Sequence, residues 1–185
     1  MLMGLCVLIA LAGVALTGGD LRRLADLRLQ SRGLLYLALA IQVLITDFLT
    51  TWPRPVLVVA HLVTYAAAAL IVWRNRRLPG LPLLAVGAAC NGLTIAANGG
   101  TLPASAAALR RAGIRIDPAD FSNSGVLAHP RLAWLGDIFA FPAGWPLSNV
   151  FSLGDVVIVL GATWCLHRVC RRPHEPAATF SPAAA

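Results

Sequence analysis

Charged side chains are scarce in this chain of 185 residues: they make up 12% of the sequence, whereas 58% of the residues are hydrophobic. Soluble domains carry about a quarter charged residues, so the composition argues against an ordinary soluble protein. Lysine is absent, and all 15 basic residues are arginines. Most of these arginines lie at the ends of apolar segments. The net charge of +7 is therefore typical of membrane-helix flanks and argues against a nucleic-acid partner.

Other features that would point to a particular chemistry are also missing. The segment 99–151 contains no cysteine, which argues against a disulfide framework or a zinc site, and no cofactor is predicted. There is no internal repeat and no strong catalytic or transport signature, so no activity is assigned.

No basic residue precedes the first apolar segment and no small-x-small cleavage pattern follows Ala15. We therefore expect a retained helix there and not a secretory signal.

Five apolar segments dominate what is present, and each is long enough to cross a bilayer as a helix. In hydrocarbon the backbone must satisfy its own hydrogen bonds, which favours helices for all five. The predicted fold is an all-α, polytopic membrane helix bundle. It forms one transmembrane domain over 1–172, with an outer loop over 99–151 and a disordered tail over 173–185. The predicted spans are 2–17, 34–51, 56–73, 82–97 and 152–168.

Arginine positions predict the orientation of this bundle. Arginines concentrate in 20–33, in 74–80 and in 168–172, and such segments stay on the cytoplasmic side. We therefore expect the amino terminus outside, the carboxyl terminus in the cytoplasm and a plasma-membrane location. The segment 20–30 mixes leucines with Asp and Arg, which predicts a short helix on the cytoplasmic surface.

The outer loop is too long for a simple connector. Its composition predicts a short helix over 104–112 and an interfacial or re-entrant segment over 132–141, which contains Trp134 and Asp137. We expect this loop to cover the outer end of the bundle.

Polar side chains within the spans carry the functional information, because each costs free energy in hydrocarbon unless it finds a partner or a wet cavity. They fall at one depth near the outer side. Either they form helix-to-helix hydrogen bonds or they line a pocket that opens outward. The predicted polar cluster comprises Gln42, Asp47, His61, Asn91, Asn98, Ser152 and Asp155.

The last span opens with Ser152-Leu153-Gly154-Asp155, a capping-box pattern that explains Asp155 without catalysis. Gly154 and Gly161 lie seven residues apart on one face of the same span. Small residues at that spacing allow close helix approach, so assembly with a membrane protein partner or a second copy stays open.

Two local motifs resemble known families. Asn98-Gly99-Gly100-x-x-Pro103, together with Phe151-Ser152-Leu153-Gly154-Asp155, resembles a family of small bacterial membrane proteins of unassigned function. This resemblance implies five spans in a bacterial plasma membrane.

The second resemblance is to lipoprotein signal peptidase, whose last motif has the form F-N-x-A-D-x-x-I-x-x-G. The corresponding residues here are Phe151, Ser152, Gly154, Asp155, Ile158 and Gly161. It implies an aspartyl mechanism with Asp155 and a second carboxylate, Asp137 or Asp47, as candidate catalytic residues. Ser152 departs from the peptidase pattern, and the peptidase's other aspartate motif has no counterpart.

Three hypotheses follow from these observations. We expect first a non-enzymatic membrane protein that binds a lipid or a protein partner through its outer polar layer. The alternatives are an aspartyl peptidase-like enzyme and a subunit of a transport complex. The transport hypothesis requires a polar path through the inner half, where the spans have few polar groups.

Overall fold

The computed structural model describes residues 2–115 and 124–171, and this part of the chain is mostly helical. The helices are α1 (Leu2–Leu16), α2 (Arg32–Val43), α3 (Arg54–Arg74), α4 (Leu81–Ala97), α5 (Ala106–Ala112) and α6 (Leu153–Cys170). The strands are β1 (Leu102–Pro103), β2 (Ser124–Gly125), β3 (Phe139–Phe141) and β4 (Asn149–Phe151). Asp117, Asp120 and the predicted disordered tail 173–185 lie outside the described residues.

The five long helices occupy the five predicted apolar segments. Within the described ranges, Arg54–Arg74 and Leu153–Cys170 are long and apolar enough to cross a membrane, and Leu5–Leu16 and Leu81–Ala97 are shorter apolar helices. Helix α3 begins two residues before the predicted segment because Pro55, in its first turn, needs no helical hydrogen-bond acceptor for its nitrogen.

The predicted second span, 34–51, differs from the structure at both ends. Helix α2 begins earlier, at Arg32, and continues directly into a π-helical turn, Leu44–Phe48. Helical structure therefore stops at Phe48. A π-turn adds one residue to the hydrogen-bonded ring and is often found at functional sites in helices.

The helices pack in the order α1, α6, α4, α3 and α2, each mainly on its neighbour. The closest pair is α4 with α6, because glycines face each other across it. A Cβ atom on Gly87 would lie 2.5 Å from the carbonyl oxygen of Gly154, and one on Gly161 would overlap the backbone of Leu84. The predicted small-residue face of the last span is thus used inside the chain, against α4.

The prediction of an exclusively α-helical fold is wrong in the outer loop, where two small sheets occur. Strands β1 and β2 pair in parallel, and β3 and β4 form an antiparallel hairpin with Phe139 opposite Phe151. The rings of these two residues stack at 5.4 Å between centroids, and Phe141 lies 5.3 Å from Phe151. Cross-strand aromatic pairs of this kind stabilise a short hairpin.

Two predictions of local helix are corrected as well. The predicted interfacial or re-entrant segment 132–141 contains only the 3₁₀ turn Ala133–Leu135 before the chain extends into β3. The predicted surface helix over 20–30 is only the 3₁₀ turn Leu21–Leu24, which Asp20 caps. The helix predicted over 104–112 is confirmed as Ala106–Ala112, with Ser105 as its cap.

Candidate functional site

The residues of the predicted polar cluster make separate sets of contacts in the structure. They divide into contacts between α2 and α3, contacts between α4 and α6, and contacts between α4 and the outer loop. Asp47 joins none of these sets: it is exposed, and its carboxylate accepts a hydrogen bond from the adjacent Thr46 at 2.9 Å.

The first set links α2 to α3 through the side chain of Gln42. Its carbonyl oxygen, Oε1, lies 3.1 Å from Nδ1 of His61 and 2.9 Å from the Thr64 hydroxyl oxygen, which donates a hydrogen bond of 2.6 Å to the His61 carbonyl oxygen. His61 and Thr64 are both buried, at 1% and 7% exposure.

Tyr65 extends this set towards α4. Its ring lies edge-on to His61, with 5.1 Å between ring centroids. Gly92 makes room for the ring on the other side, because a Cβ atom there would lie 2.9 Å from Cδ1 of Tyr65. Tyr65 was not among the predicted site residues, although its position four residues after His61 places both on one helix face.

A groove of about 960 Å³ runs between α2, α3 and α4 beside these residues. One end carries Gln42, His61, Thr64 and Tyr65, and the other carries Trp73 and Arg76. From His61 to Trp73 the helix advances by twelve steps of about 1.5 Å, or about 18 Å in all. The walls between the two ends are made of small and aliphatic side chains, among them Ala38, Ala68, Ala69, Ala85, Ala88 and Ala89.

Arg76 and Trp73 form a defined pair at the second end. The guanidinium carbon of Arg76 lies 4.4 Å from the centre of the Trp73 ring, and its Nη1 donates a hydrogen bond of 3.0 Å to the Trp73 carbonyl oxygen. Both side chains are exposed. This is a cation–π contact at an exposed site.

The second set joins α4 to the start of α6. Asn91, which is 4% exposed, donates to Asp155 Oδ1 at 2.9 Å and accepts a hydrogen bond of 2.9 Å from the Ser152 hydroxyl. The predicted capping box is confirmed: Asp155 Oδ2 accepts from the backbone of Ser152 at 2.9 Å, and Ser152 Oγ accepts from the backbone of Asp155 at 3.0 Å. Asn91 thus ties the box to the neighbouring helix.

The third set fastens the outer loop to the bundle. Asn98, at the end of α4, makes two hydrogen bonds of 2.8 Å with the backbone of Arg131, one from its amide nitrogen and one to its amide oxygen. Arg54, at the start of α3, donates to the Thr101 hydroxyl at 2.8 Å. The loop therefore lies across the start of α3 and the end of α4.

Asp137 is the second candidate carboxylate, and it lies buried inside the outer loop at 5% exposure. Its backbone bridges Pro103 and Ser105, and its carboxyl accepts a hydrogen bond from Ser124. Burial raises the pKa of Asp137 to about 6; the Ser124 hydroxyl opposes this shift, and the charge of Asp155 adds to it.

These contacts do not favour a peptidase. Both carboxylate oxygens of Asp155 are engaged, one by Asn91 and one by the cap. In the part of the chain that the structure describes, no hydrogen bond joins the carboxyl groups of Asp137 and Asp155, whereas an aspartyl mechanism requires two carboxyls that share a proton. Over the same residues, no group of three or more His, Cys, Asp or Glu side chains could hold a metal ion.

Sequence reasoning also missed Asn75, which follows α3 at the end opposite His61. It is 6% exposed, donates to the carbonyl oxygens of Ile71 and Gln30, and accepts a hydrogen bond of 2.8 Å from the Gln30 backbone. Asn75 lies in an arginine-rich connection, where the sequence pattern indicates solvent-exposed residues, so it was not predicted to be buried. Asn75 holds the start of α2 against the end of α3.

Comparison with known proteins gives a family but no activity. Residues 26–167 match a family described as a family of unknown function, DUF5317. An uncharacterized protein from Thermotoga maritima is 30% identical over 90 residues, which cover 49% of this chain and 51% of that protein. The match thus spans about half the length of this relative. No solved structure matches the chain.

Proposed function

We propose that this chain, which belongs to the family of unknown function DUF5317, is a five-span integral membrane protein that binds a lipid in the groove between α2, α3 and α4. The spans are α1, α2 with its π-turn, α3, α4 and α6. The amino terminus lies outside, the carboxyl terminus lies in the cytoplasm, and the membrane is the bacterial plasma membrane. The resemblance to lipoprotein signal peptidase adds nothing to this proposal.

Burial supports the membrane part of the proposal. Large apolar side chains face outward on the helices: Val59 is 61% exposed, Val86 56% and Leu160 56%. Buried positions include polar side chains such as His61 and Ser152, at 1% and 0%, beside apolar ones such as Leu57. Water disfavours large exposed apolar surfaces, whereas hydrocarbon disfavours unpaired polar groups. The arrangement therefore fits lipid as the solvent around the bundle.

The groove supports the lipid-binding part and is the observation that carries it. Its walls are almost entirely apolar, its length of about 18 Å covers more than half of a hydrocarbon core of about 30 Å, and it has a polar group of side chains at one end. A site with apolar walls and a few convergent polar groups suits an amphipathic ligand. The outer loop, held by Asn98, closes the bundle end nearest the polar group.

The test uses substitution of a small groove residue by a large one. Ala88 lines the groove, so Ala88→Trp fills it, whereas Ala66→Trp places the same side chain at an exposed position of α3 outside the groove. Protein purified in mild detergent is analysed by native mass spectrometry for co-purifying lipid. We expect bound lipid on the parent protein and on Ala66→Trp, and loss of it on Ala88→Trp. Equal lipid on all three proteins would contradict the proposal.

A further inference from the structure

We propose that the lipid in this groove is an anionic phospholipid, with its phosphate at Arg76 and one acyl chain between α2, α3 and α4. This inference rests on the proposed function and specifies the headgroup of its ligand. It places the head at the end of the groove that carries Trp73 and Arg76, which is the proposed cytoplasmic side.

Arg76 is positioned to bind a phosphate at this end of the groove. It lines the groove, and its guanidinium is held over the Trp73 ring, 4.4 Å from the ring centre. A guanidinium has five N–H donors. Among the described residues, the side chain of Arg76 makes one hydrogen bond, from Nη1 to the Trp73 carbonyl oxygen. The remaining donors can bind two phosphate oxygens at once, which is the geometry that arginine favours.

Helices α2 and α3, which form two walls of the groove, are tied together at the same end. The Arg74 side chain donates a hydrogen bond of 2.6 Å to the Ser31 hydroxyl. Asn75 accepts a hydrogen bond of 2.8 Å from the Gln30 backbone and donates one of 3.1 Å to it. These contacts hold the two walls in place beside the guanidinium.

The charges around this end favour a head with net negative charge. The connection 74–80 contains three arginines and no acidic residue, and the segment 20–33 adds four arginines against two aspartates. Basic residues at a membrane surface attract anionic lipids. No carboxylate is among the described residues that line the groove, so nothing there would bind the ammonium group of a zwitterionic head.

The opposite end of the groove suits the end of an acyl chain and not a phosphate. No arginine lines it, so a phosphate there would lie in hydrocarbon without a counter-charge, which is costly. The polar atoms of Gln42, His61 and Thr64 contact one another at that end. The groove length of about 18 Å is close to the hydrocarbon depth of one leaflet, about 15 Å, so one chain can follow the alanine-lined walls.

The test measures lipid binding by native mass spectrometry in nonionic detergent at low ionic strength, where charges are screened less. The probes have the same acyl chains: dioleoylphosphatidylglycerol is anionic and dioleoylphosphatidylcholine is zwitterionic. We expect the parent protein to bind the phosphatidylglycerol more tightly. Arg76→Gln should weaken phosphatidylglycerol binding about fivefold, the effect of one basic residue at a membrane surface, and should leave phosphatidylcholine binding unchanged.

Arg111→Gln is the matched control. It removes the same charge from an exposed position of α5 that does not line the groove, so it should leave the binding of both lipids unchanged. Unchanged phosphatidylcholine binding also shows that the groove of Arg76→Gln is intact.

The outcomes separate the inference from the proposed function. The inference is wrong if the two lipids bind the parent protein equally, if Arg76→Gln weakens both lipids alike, or if Arg111→Gln has the same effect as Arg76→Gln. In each of these cases, loss of lipid on Ala88→Trp keeps the groove as a lipid site. If neither lipid binds the parent protein, both the inference and the proposed function are wrong.

Discussion

Substitution of Asp155 by Asn tests whether this carboxylate is structural. In the parent protein one oxygen accepts from Asn91 and the other from the Ser152 backbone. An asparagine offers one acceptor oxygen, so its amide group must face one of these two donors. The fold should survive with lower stability, because the bundle contacts elsewhere are untouched.

The size of the effect follows from the lost interactions. Loss of the cap costs about 1 kcal/mol, and loss of a negative charge at the amino-terminal end of α6 costs about 0.5 kcal/mol. Helix-to-helix hydrogen bonds in membranes contribute about 0.6 kcal/mol on average, and Asn91 makes one such bond to Asp155. Because an asparagine keeps one of the two bonds, only one of these losses adds to the charge term, and we therefore expect Asp155→Asn to lower the free energy of unfolding by about 1–1.5 kcal/mol.

The assay is reversible unfolding by sodium dodecyl sulfate in mixed micelles. Asp47→Asn is the control: Asp47 is exposed and its carboxylate contacts only the neighbouring Thr46 among the described residues, so a change below about 0.5 kcal/mol is expected. A double-mutant cycle with Asn91→Ala should show coupling of at least about 0.5 kcal/mol. Equal stability of the Asp155→Asn and Asp47→Asn proteins would refute the reasoning.

Three further predictions concern the outer loop and the glycine contact. The pKa of Asp137 is raised from 3.8 to about 6, so the folded state binds this proton more tightly than the unfolded state does. The resulting stabilisation, on the order of 3 kcal/mol, is fully present below about pH 4 and is lost as the pH rises through 6. Asp137→Asn should remove this part of the pH dependence in thermal melts from pH 4 to 8, and an unchanged profile would contradict the prediction. Gly161→Ala brings a Cβ atom against the backbone of Leu84 and should lower the free energy of unfolding by about 1–3 kcal/mol. Gly33→Ala is the control, because no atom lies near its added Cβ, and it should not lower the stability. Unfolding in mixed micelles measures both variants. Asn98→Ala removes both bonds to Arg131 and should raise hydrogen exchange near Arg131 about tenfold, while unchanged exchange would show that the loop is held by other contacts.

The positions of the long helices could be predicted from the sequence because a long apolar segment is by itself enough to indicate such a helix. The capping box was predictable for a similar reason, since its hydrogen bonds join Ser152 and Asp155, which are three residues apart. The small strands were not, because β3 and β4 have only three residues each. Their pairing depends on contacts between Phe139 and Phe151 that no local pattern shows.

The sequence also could not predict which helices pack against each other. The spacing of Asn91 and Asn98 placed both on one face of α4, but it could not indicate that Asn91 meets α6 while Asn98 meets the outer loop. That outcome depends on the packing order of the helices, which the glycines of α4 and α6 fix. The same order leaves the groove between α2, α3 and α4.

Lipid accessibility of the exposed apolar positions tests the central claim most directly. Nitroxide labels at Val59 and Val86, two exposed apolar positions of α3 and α4 outside the groove, are compared in nanodiscs for collision with oxygen and with a water-soluble nickel complex. Both labels should collide often with oxygen and rarely with nickel, because hydrocarbon surrounds them. Strong nickel accessibility at both positions would show that water surrounds the helices and would contradict the account.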